Sequence, residues 1–298
     1  MQTHISHKLS VTLIVGVCVI LLGILFLIIK YSDKTENKDL YSLASVEGSF
    51  LNIPERYFVS NVGANEQRPV ASVTKLLTAL VVYEKHQTSL ASETVTIDYT
   101  SEAQPGDIIQ LHTGDTYKMK DIIKAMLIGS SNDAAYAVAS HFGYVNFVSD
   151  MNLVAHTIGM KDSFFSNPTG LDNVRPNSST PHDLAMLVDY IYEQYPEILS
   201  FTRTLEYVLA DVQYKQIQTI YNTDILLQDV YLGPKIIGSK TGSTGEARQT
   251  LVILATNRDG KGKPVVFIVL GSEDRFTAMK TLMDNYYRIK RPGIGVAP

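Results

Sequence analysis

The chain has 298 residues, 45% of them hydrophobic, and a formal net charge of −4. That is enough apolar material for one large or two small domains, and the mildly acidic balance excludes the basic footprint that nucleic-acid binding requires. The single cysteine, Cys18, excludes an intrachain disulfide and a thiolate metal cluster.

Residues 1–8 form a short N-terminal tail, and residues 9–29 are almost wholly apolar and uncharged. A helix needs about 20 such residues to cross hydrocarbon. A cleaved signal would have a shorter apolar core with a small-x-small site directly after it, but Ile28-Ile29-Lys30-Tyr31 follows here. An uncleaved transmembrane anchor is therefore expected, followed by a charged linker over residues 30–40. The count of flanking lysines, Lys8 before the span against Lys30, Lys34 and Lys38 after it, taken alone favours a cytoplasmic C-terminal side.

Beyond the linker, the patterns predict a domain over residues 41–290 and a short tail at 291–298. Strands are expected at 42–46 and 56–62, around a turn at Asn52-Ile53-Pro54. Val73, Leu76, Leu77, Leu80 and Val81 share one face, which predicts a helix over 72–84. Strands are expected at 95–97 and 108–111. Helices at 119–128 and 132–141 should meet at the corner Gly129-Ser130-Ser131. Further helices are expected at 147–158, 181–192 and 276–288, the second opened by Thr180 as N-cap and Pro181 at the first position. Strands follow at 205–209, 213–219, 236–240, 249–255 and 265–270. Strands at both ends with helices between them predict an α/β (α+β) domain, in which one sheet takes strands from both termini and helices cover its faces.

Three short stretches could carry chemistry. In Ser72-Val73-Thr74-Lys75, residues three apart share a helix face, so a hydroxyl and an amine can meet. A serine is a weak nucleophile until a base accepts its proton, and a lysine can be that base if burial or another cation lowers its pKa. Ser130-Ser131-Asn132 lies at a helix-helix corner; it either faces a cleft or caps the helix that starts at Asn132. Lys240-Thr241-Gly242 ends an apolar run, where a glycine permits close backbone approach and Lys and Thr offer a cation and a hydroxyl to a carboxylate.

In this order, Ser-x-x-Lys, Ser-x-Asn and Lys-Thr-Gly form the motif set of penicillin-binding proteins and class A β-lactamases. The likeness extends through Gly114-Asp115, Ser130 to Ala135, Asn167-Pro168-Thr169-Gly170-Leu171, Ser179 to Ala185, Asn222-Thr223-Asp224 and Arg275. Over residues 41–288 the chain resembles the low-molecular-mass D-alanyl-D-alanine carboxypeptidases, serine peptidases of the β-lactamase-like fold. A mainly antiparallel sheet covered by helices is the fold this implies. The β-rich second domain and the C-terminal amphipathic anchor of many members are missing, so membrane attachment is expected through the N-terminal segment.

The resemblance implies acyl transfer without a cofactor or a metal. Ser72 would be the nucleophile, Lys75 its base and Ser130 the proton donor to the leaving group. Asn132, Lys240, Thr241, Gly242, Ser243 and Arg275 would bind substrate, with the Ser72 and Ser243 N–H groups holding the oxyanion. The implied substrate is a peptidoglycan stem peptide ending in D-Ala-D-Ala, with β-lactams as covalent inhibitors. Because that substrate lies outside the cytoplasmic membrane, an extracytoplasmic domain on a single-pass anchor is expected, against the lysine count.

Many of these carboxypeptidases have His after Lys-Thr-Gly; here it is Ser243, so a different deacylation rate or substrate preference is expected. Residues 164–171 hold no Glu of the kind a class A β-lactamase uses to deacylate. The remaining alternatives are a DD-endopeptidase or weak β-lactamase on the same residues, and a non-catalytic anchored binding module. The scattered histidines show no His-Glu-x-x-His pattern.

Overall fold

The computed structural model describes residues 42–47, 58–86 and 90–289. All of them belong to one compact unit, Tyr41–Pro298. The expected tail, apolar anchor and linker, and residues 291–298, lie outside the described residues. Among the described residues, no helix is long and apolar enough to cross a membrane.

In chain order the elements are β1 (Ser42–Glu47), β2 (Phe58–Val62), β3 (Arg68–Pro69), α1 (Thr74–His86), β4 (Thr94–Thr96), α2 (Tyr99–Glu102), β5 (Thr116–Lys118) and α3 (Met119–Ile128). Then come α4 (Asn132–His141), α5 (Tyr144–Thr157), β6 (Ser178–Ser179), α6 (Pro181–Gln194), α7 (Pro196–Thr202), β7 (Glu206–Ala210) and β8 (Ile217–Tyr221). The chain closes with β9 (Ile236–Thr244), β10 (Arg248–Ala255), β11 (Val265–Ser272) and α8 (Arg275–Tyr287).

The main sheet has the order β2-β1-β11-β10-β9, with every pairing antiparallel. Strands from both ends of the domain thus share one sheet, as the sequence pattern predicts. Strands β10 and β11 are continuous apolar runs because both of their faces are buried. Val252, Leu254, Val266, Ile268 and Leu270 join the core of the helical layer. Leu251, Ile253, Val265, Phe267 and Val269 pack with Ala278, Met279, Leu282 and Met283 of α8. Each such large side chain, taken from water, contributes about 1.5–3 kcal/mol.

Helix α1 runs through the helical layer, and every residue from Thr74 to Tyr83 is buried. A helix apolar on all sides belongs inside a domain, and the exceptions here, Thr74, Lys75 and Thr78, are polar groups with designated partners. Among the described residues, strand β9 is the edge of the sheet and pairs only with β10. Its register sets Lys240 opposite Val252 and Thr241 opposite Leu251. Side chains alternate along a strand, so Lys240 and Gly242 face the helical layer, while Ser239, Thr241 and Ser243 lie on the α8 side.

Some elements differ from expectation. Residues 108–111 form no strand: Gln110 has a positive φ of 55°, and the Ile109 and Leu111 N–H groups donate to the buried Asp133 carboxylate. A side chain here takes the place of a strand partner. Strand β8 begins at Ile217 rather than 213, because Asp211 accepts from the N–H groups of Gln213, Lys215 and Gln216 and closes a turn. Helix α7 was not expected; Pro196 opens it at N1, directly after α6 ends. Strand β9 continues past Lys240 to Thr244, carrying the Lys-Thr-Gly segment inside the sheet.

Candidate active site

Ser72 sits in a single 3-10 turn, Ala71–Val73, that leads into α1. Ala71 takes a positive φ of 48°. Two glycines lie directly against this turn. A Cβ on Gly170 would lie 1.9 Å from the Ala71 carbonyl oxygen, and one on Gly242 would lie 2.9 Å from the Ser72 nitrogen. Both neighbouring backbones therefore approach the turn at distances that any side chain would block. The Ser72 N–H belongs to the first turn of the helix, where no intrahelical acceptor exists.

Lys75, one turn on, is fully buried. Its Nζ donates to Ser72 Oγ at 2.7 Å, Asn132 Oδ1 at 2.8 Å and the Thr169 carbonyl at 2.7 Å. Burial holds its pKa well below the usual lysine range; the Lys240 charge lowers it further, and Asp107 and Asp133 oppose the shift. In the neutral amine, two N–H bonds and one lone pair remain. Asn132 Oδ1 and the Thr169 oxygen can only accept, so they take the N–H bonds. The lone pair is left for Ser72, the one partner with a proton to give. The geometry thus makes Lys75 a base aimed at Ser72.

The Thr169 carbonyl is placed by the Asn-Pro-Thr-Gly segment. Asn167 Oδ1 accepts from Thr169 N, Thr169 Oγ1 and Gly170 N at 3.1, 2.8 and 2.7 Å, winding the loop tightly. Thr78 of α1 donates to the Pro168 carbonyl at 2.7 Å, tying the loop to the helix that carries Lys75.

At the corner between α3 and α4 the two serines divide the work. Ser131 is the N-cap, its Oγ accepting from Ala134 N at 3.1 Å. Ser130 takes a positive φ of 58°, which turns it away from the helix, and its Oγ accepts from Lys240 Nζ at 2.8 Å. Capping and cleft-facing roles are therefore both filled, by adjacent residues. Asn132 links Lys75 to the loop above it, donating from Nδ2 to the Pro105 carbonyl at 2.8 Å.

Lys240 is buried and also donates to the Thr241 carbonyl at 2.9 Å. Burial and the nearby Arg275 pull its pKa down to about 7, against the pull of Asp107 and Asp224. The Thr241 hydroxyl meets that of Thr223. Arg275, the first residue of α8, donates from Nη1 to the Gly242 carbonyl at 2.8 Å.

The structure therefore brings Ser72, Lys75, Ser130, Asn132, Lys240, Thr241, Gly242 and Arg275 to one edge of the sheet. Ser243 is exposed and its side chain makes no hydrogen bond among the described residues. It follows Gly242 on the open edge strand, so its backbone is what lies near the cluster.

Comparison with known proteins follows the same lines. Residues 58–274 match the peptidase S11 family, D-alanyl-D-alanine carboxypeptidase. The chain belongs to this family. The D-alanyl-D-alanine carboxypeptidase DacF of Bacillus subtilis is 30% identical over 75% of this chain and 57% of its own length. A D-alanyl-D-alanine endopeptidase of Pseudomonas aeruginosa is 32% identical over 70% of this chain and 65% of its own. The chain thus spans less than two thirds of these relatives. Among solved structures, a Streptomyces DD-transpeptidase variant superposes with a TM-score of 0.71 at 25% identity, covering 83% of this chain and 97% of that one. A penicillin-binding protein homologue of Mycobacterium tuberculosis gives 0.70 at 25% identity, covering 86% and 93%. Membership confirms the mixed sheet-and-helix fold of the DD-peptidases.

Sequence reasoning missed several contributors. The Thr169 carbonyl was hidden because a backbone oxygen leaves no residue-type signal; only its Asn-Pro-Thr-Gly setting marked it. Thr223 and Asp224 were noted as resemblance alone. Asp107 acts through space on Lys75, Lys240 and Arg275 from an exposed loop, and no motif marks it.

Proposed function

We propose that the chain is a serine-type D-Ala-D-Ala carboxypeptidase that removes the terminal D-alanine of peptidoglycan stem peptides through a Ser72 acyl-enzyme. The observation that carries this reading is the buried Lys75 amine, whose two acceptor-only partners leave its lone pair to Ser72. Ser72 attacks the carbonyl between the two D-alanines as Lys75 takes its proton. The oxyanion is held by the N–H groups of Ser72 and Ser243. Ser130, bonded to Lys240, passes a proton to the leaving D-alanine nitrogen. Asn132 orients the peptide amide, and Lys240, Thr241 and Arg275 hold the terminal carboxylate. Water then hydrolyses the ester and restores Ser72.

β-Lactams, which present an acylating carbonyl and a carboxylate in the same relation, acylate the same serine. Ser243 stands where many members have His, and the deacylation rate or the substrate preference is where this chain is expected to differ from them. The apolar segment at 9–29 serves as a single-pass anchor, with the domain on the extracytoplasmic side where the substrate lies.

A second reading, cleavage of crosslinked peptides, is favoured by the relatives named D-alanyl-D-alanine endopeptidase. The two are separated by giving the protein a stem pentapeptide and a crosslinked dimer. Release of D-alanine from the pentapeptide at the higher kcat/KM supports the carboxypeptidase. Faster cleavage of the dimer supports the endopeptidase, and no turnover of either, with no penicillin adduct, rejects the enzyme.

A further inference from the structure

Three buried polar atoms close to the Lys-Thr-Gly strand lack hydrogen-bond partners among the described residues: Asp224 Oδ2, Ser239 Oγ and Arg275 Nε. Ser239 lies on the α8 side of β9, and the other two belong to the segments that meet β9 there. Asp224 follows Thr223, whose hydroxyl meets that of Thr241, so its segment is fastened to β9 beside Lys240. One Asp224 oxygen is engaged, accepting from Leu226 N at 2.9 Å. The other is buried, beside the Ser239 hydroxyl but without a well-formed hydrogen bond to it.

A buried carboxylate with an open oxygen is costly unless opposite charge offsets it. Burial raises the Asp224 pKa above the usual carboxylate value, and the charges that oppose this shift are those of Arg275 and Lys240. Those cations have the mirror problem. They repel each other, and burial disfavours the charge on both. The acids acting on Lys240 are Asp107, on an exposed loop where water screens it, and the buried Asp224. Asp133 acts on Lys75 and is spent on its own backbone donors.

We propose that Asp224 is a positioning residue: its buried carboxylate is the counter-charge that keeps Lys240 and Arg275 cationic and in place for the substrate's terminal carboxylate. This rests on the carboxylate-anchoring role given above to Lys240 and Arg275. The open oxygen of Asp224 then serves as buried negative charge rather than as a defect in packing. At an effective dielectric near 20, one lost counter-charge moves a neighbouring lysine by about one to two pH units over separations of roughly 6–12 Å.

The test is Asp224→Asn in the full chain, with Asp224→Glu as the charge-retaining control. The second-order rate of benzylpenicillin acylation is followed from pH 5.5 to pH 9.5, as roughly the window the lysine titrations span. The expected result is that the alkaline limb of the Asn variant falls about one to two units lower, making it about tenfold to a hundredfold slower than wild type at alkaline pH, while the Glu variant follows wild type. In parallel, 13C-lysine NMR of the unliganded proteins reads the Lys240 titration directly, its signal assigned by loss in Lys240→Arg. A Lys240 midpoint that does not fall in the Asn variant overturns the inference, whatever the activity. An unmoved alkaline limb with a tighter interaction overturns it too, since Asp224 would then only repel the bound carboxylate. If wild type is not acylated at all, the active-site reading fails while the NMR arm still decides the charge pairing.

Discussion

Gly242→Ala tests how closely the edge strand is held against the turn that carries the nucleophile. The new Cβ would lie 2.4 Å from Thr250 Oγ1, 2.9 Å from Ser72 N and 3.1 Å from Ala71 Cβ. Carbon atoms in contact settle at about 3.5–4.0 Å, so β9 must retreat from Ser72 by roughly half an ångström to one ångström. Thr250 cannot simply rotate away, because its hydroxyl is buried and donates to the Val70 carbonyl at 3.2 Å. Overpacking of this kind costs about 1–3 kcal/mol, which lowers the Tm of a domain this size by roughly 2–10 °C. The larger effect is on chemistry. In the mechanism proposed above, moving the Ser243 N–H away from the Ser72 N–H disables one oxyanion donor, worth about 100-fold to 1,000-fold in rate. The assay is the second-order rate of acylation by a fluorescent penicillin, read beside a thermal melt. The account expects a loss of at least about 100-fold with a modest fall in Tm. A variant within threefold of wild type would refute the claim that this close approach builds the oxyanion site.

Other expectations follow from the same contacts. Lys75→Arg should abolish acylation while the protein remains folded, because a guanidinium stays protonated and cannot accept from Ser72; measurable labelling of this variant contradicts the base assignment. Ser131→Ala should cost about 1 kcal/mol of stability through the lost cap and leave the acylation chemistry within a few fold. Ser130→Ala should do the reverse, lowering turnover by about 100-fold or more with little change in denaturation midpoint. In the free protein Lys240 is cationic below about pH 7 and neutral above it. The alkaline fall of kcat/KM should therefore begin near neutrality, and that of kcat at higher pH, because a bound carboxylate favours the charged lysine. Coincident limbs well above neutrality would contradict that anchor.

Much of the site was legible because its chemistry depends on side-chain type at short spacings. Ser72 and Lys75 are one helical turn apart, and the apolar run before Lys-Thr-Gly marks a strand, although that strand continues through the motif to Thr244. The sheet was legible for a similar reason: β10 and β11 have no polar face, which only a strand covered on both sides tolerates. The rest depends on long-range pairing. Nothing local in residues 108–111 shows that the Asp133 carboxylate, more than 20 positions on, will satisfy their N–H groups in place of a strand. The Thr169 carbonyl is a base-orienting group that any residue type would supply, so only the fold discloses it. Capping rules alone do not choose between Ser130 and Ser131, and only the Ser-x-Asn resemblance picks out Ser130; its positive φ is what turns it to Lys240 and leaves Ser131 as the cap.

The most direct measurement is intact-protein and peptide mass spectrometry after exposure to benzylpenicillin, on wild type and Ser72→Ala in parallel. One penicilloyl group on the peptide that contains Ser72, absent from the variant, is the predicted result. An adduct that persists in Ser72→Ala, or maps to another peptide, would contradict the account.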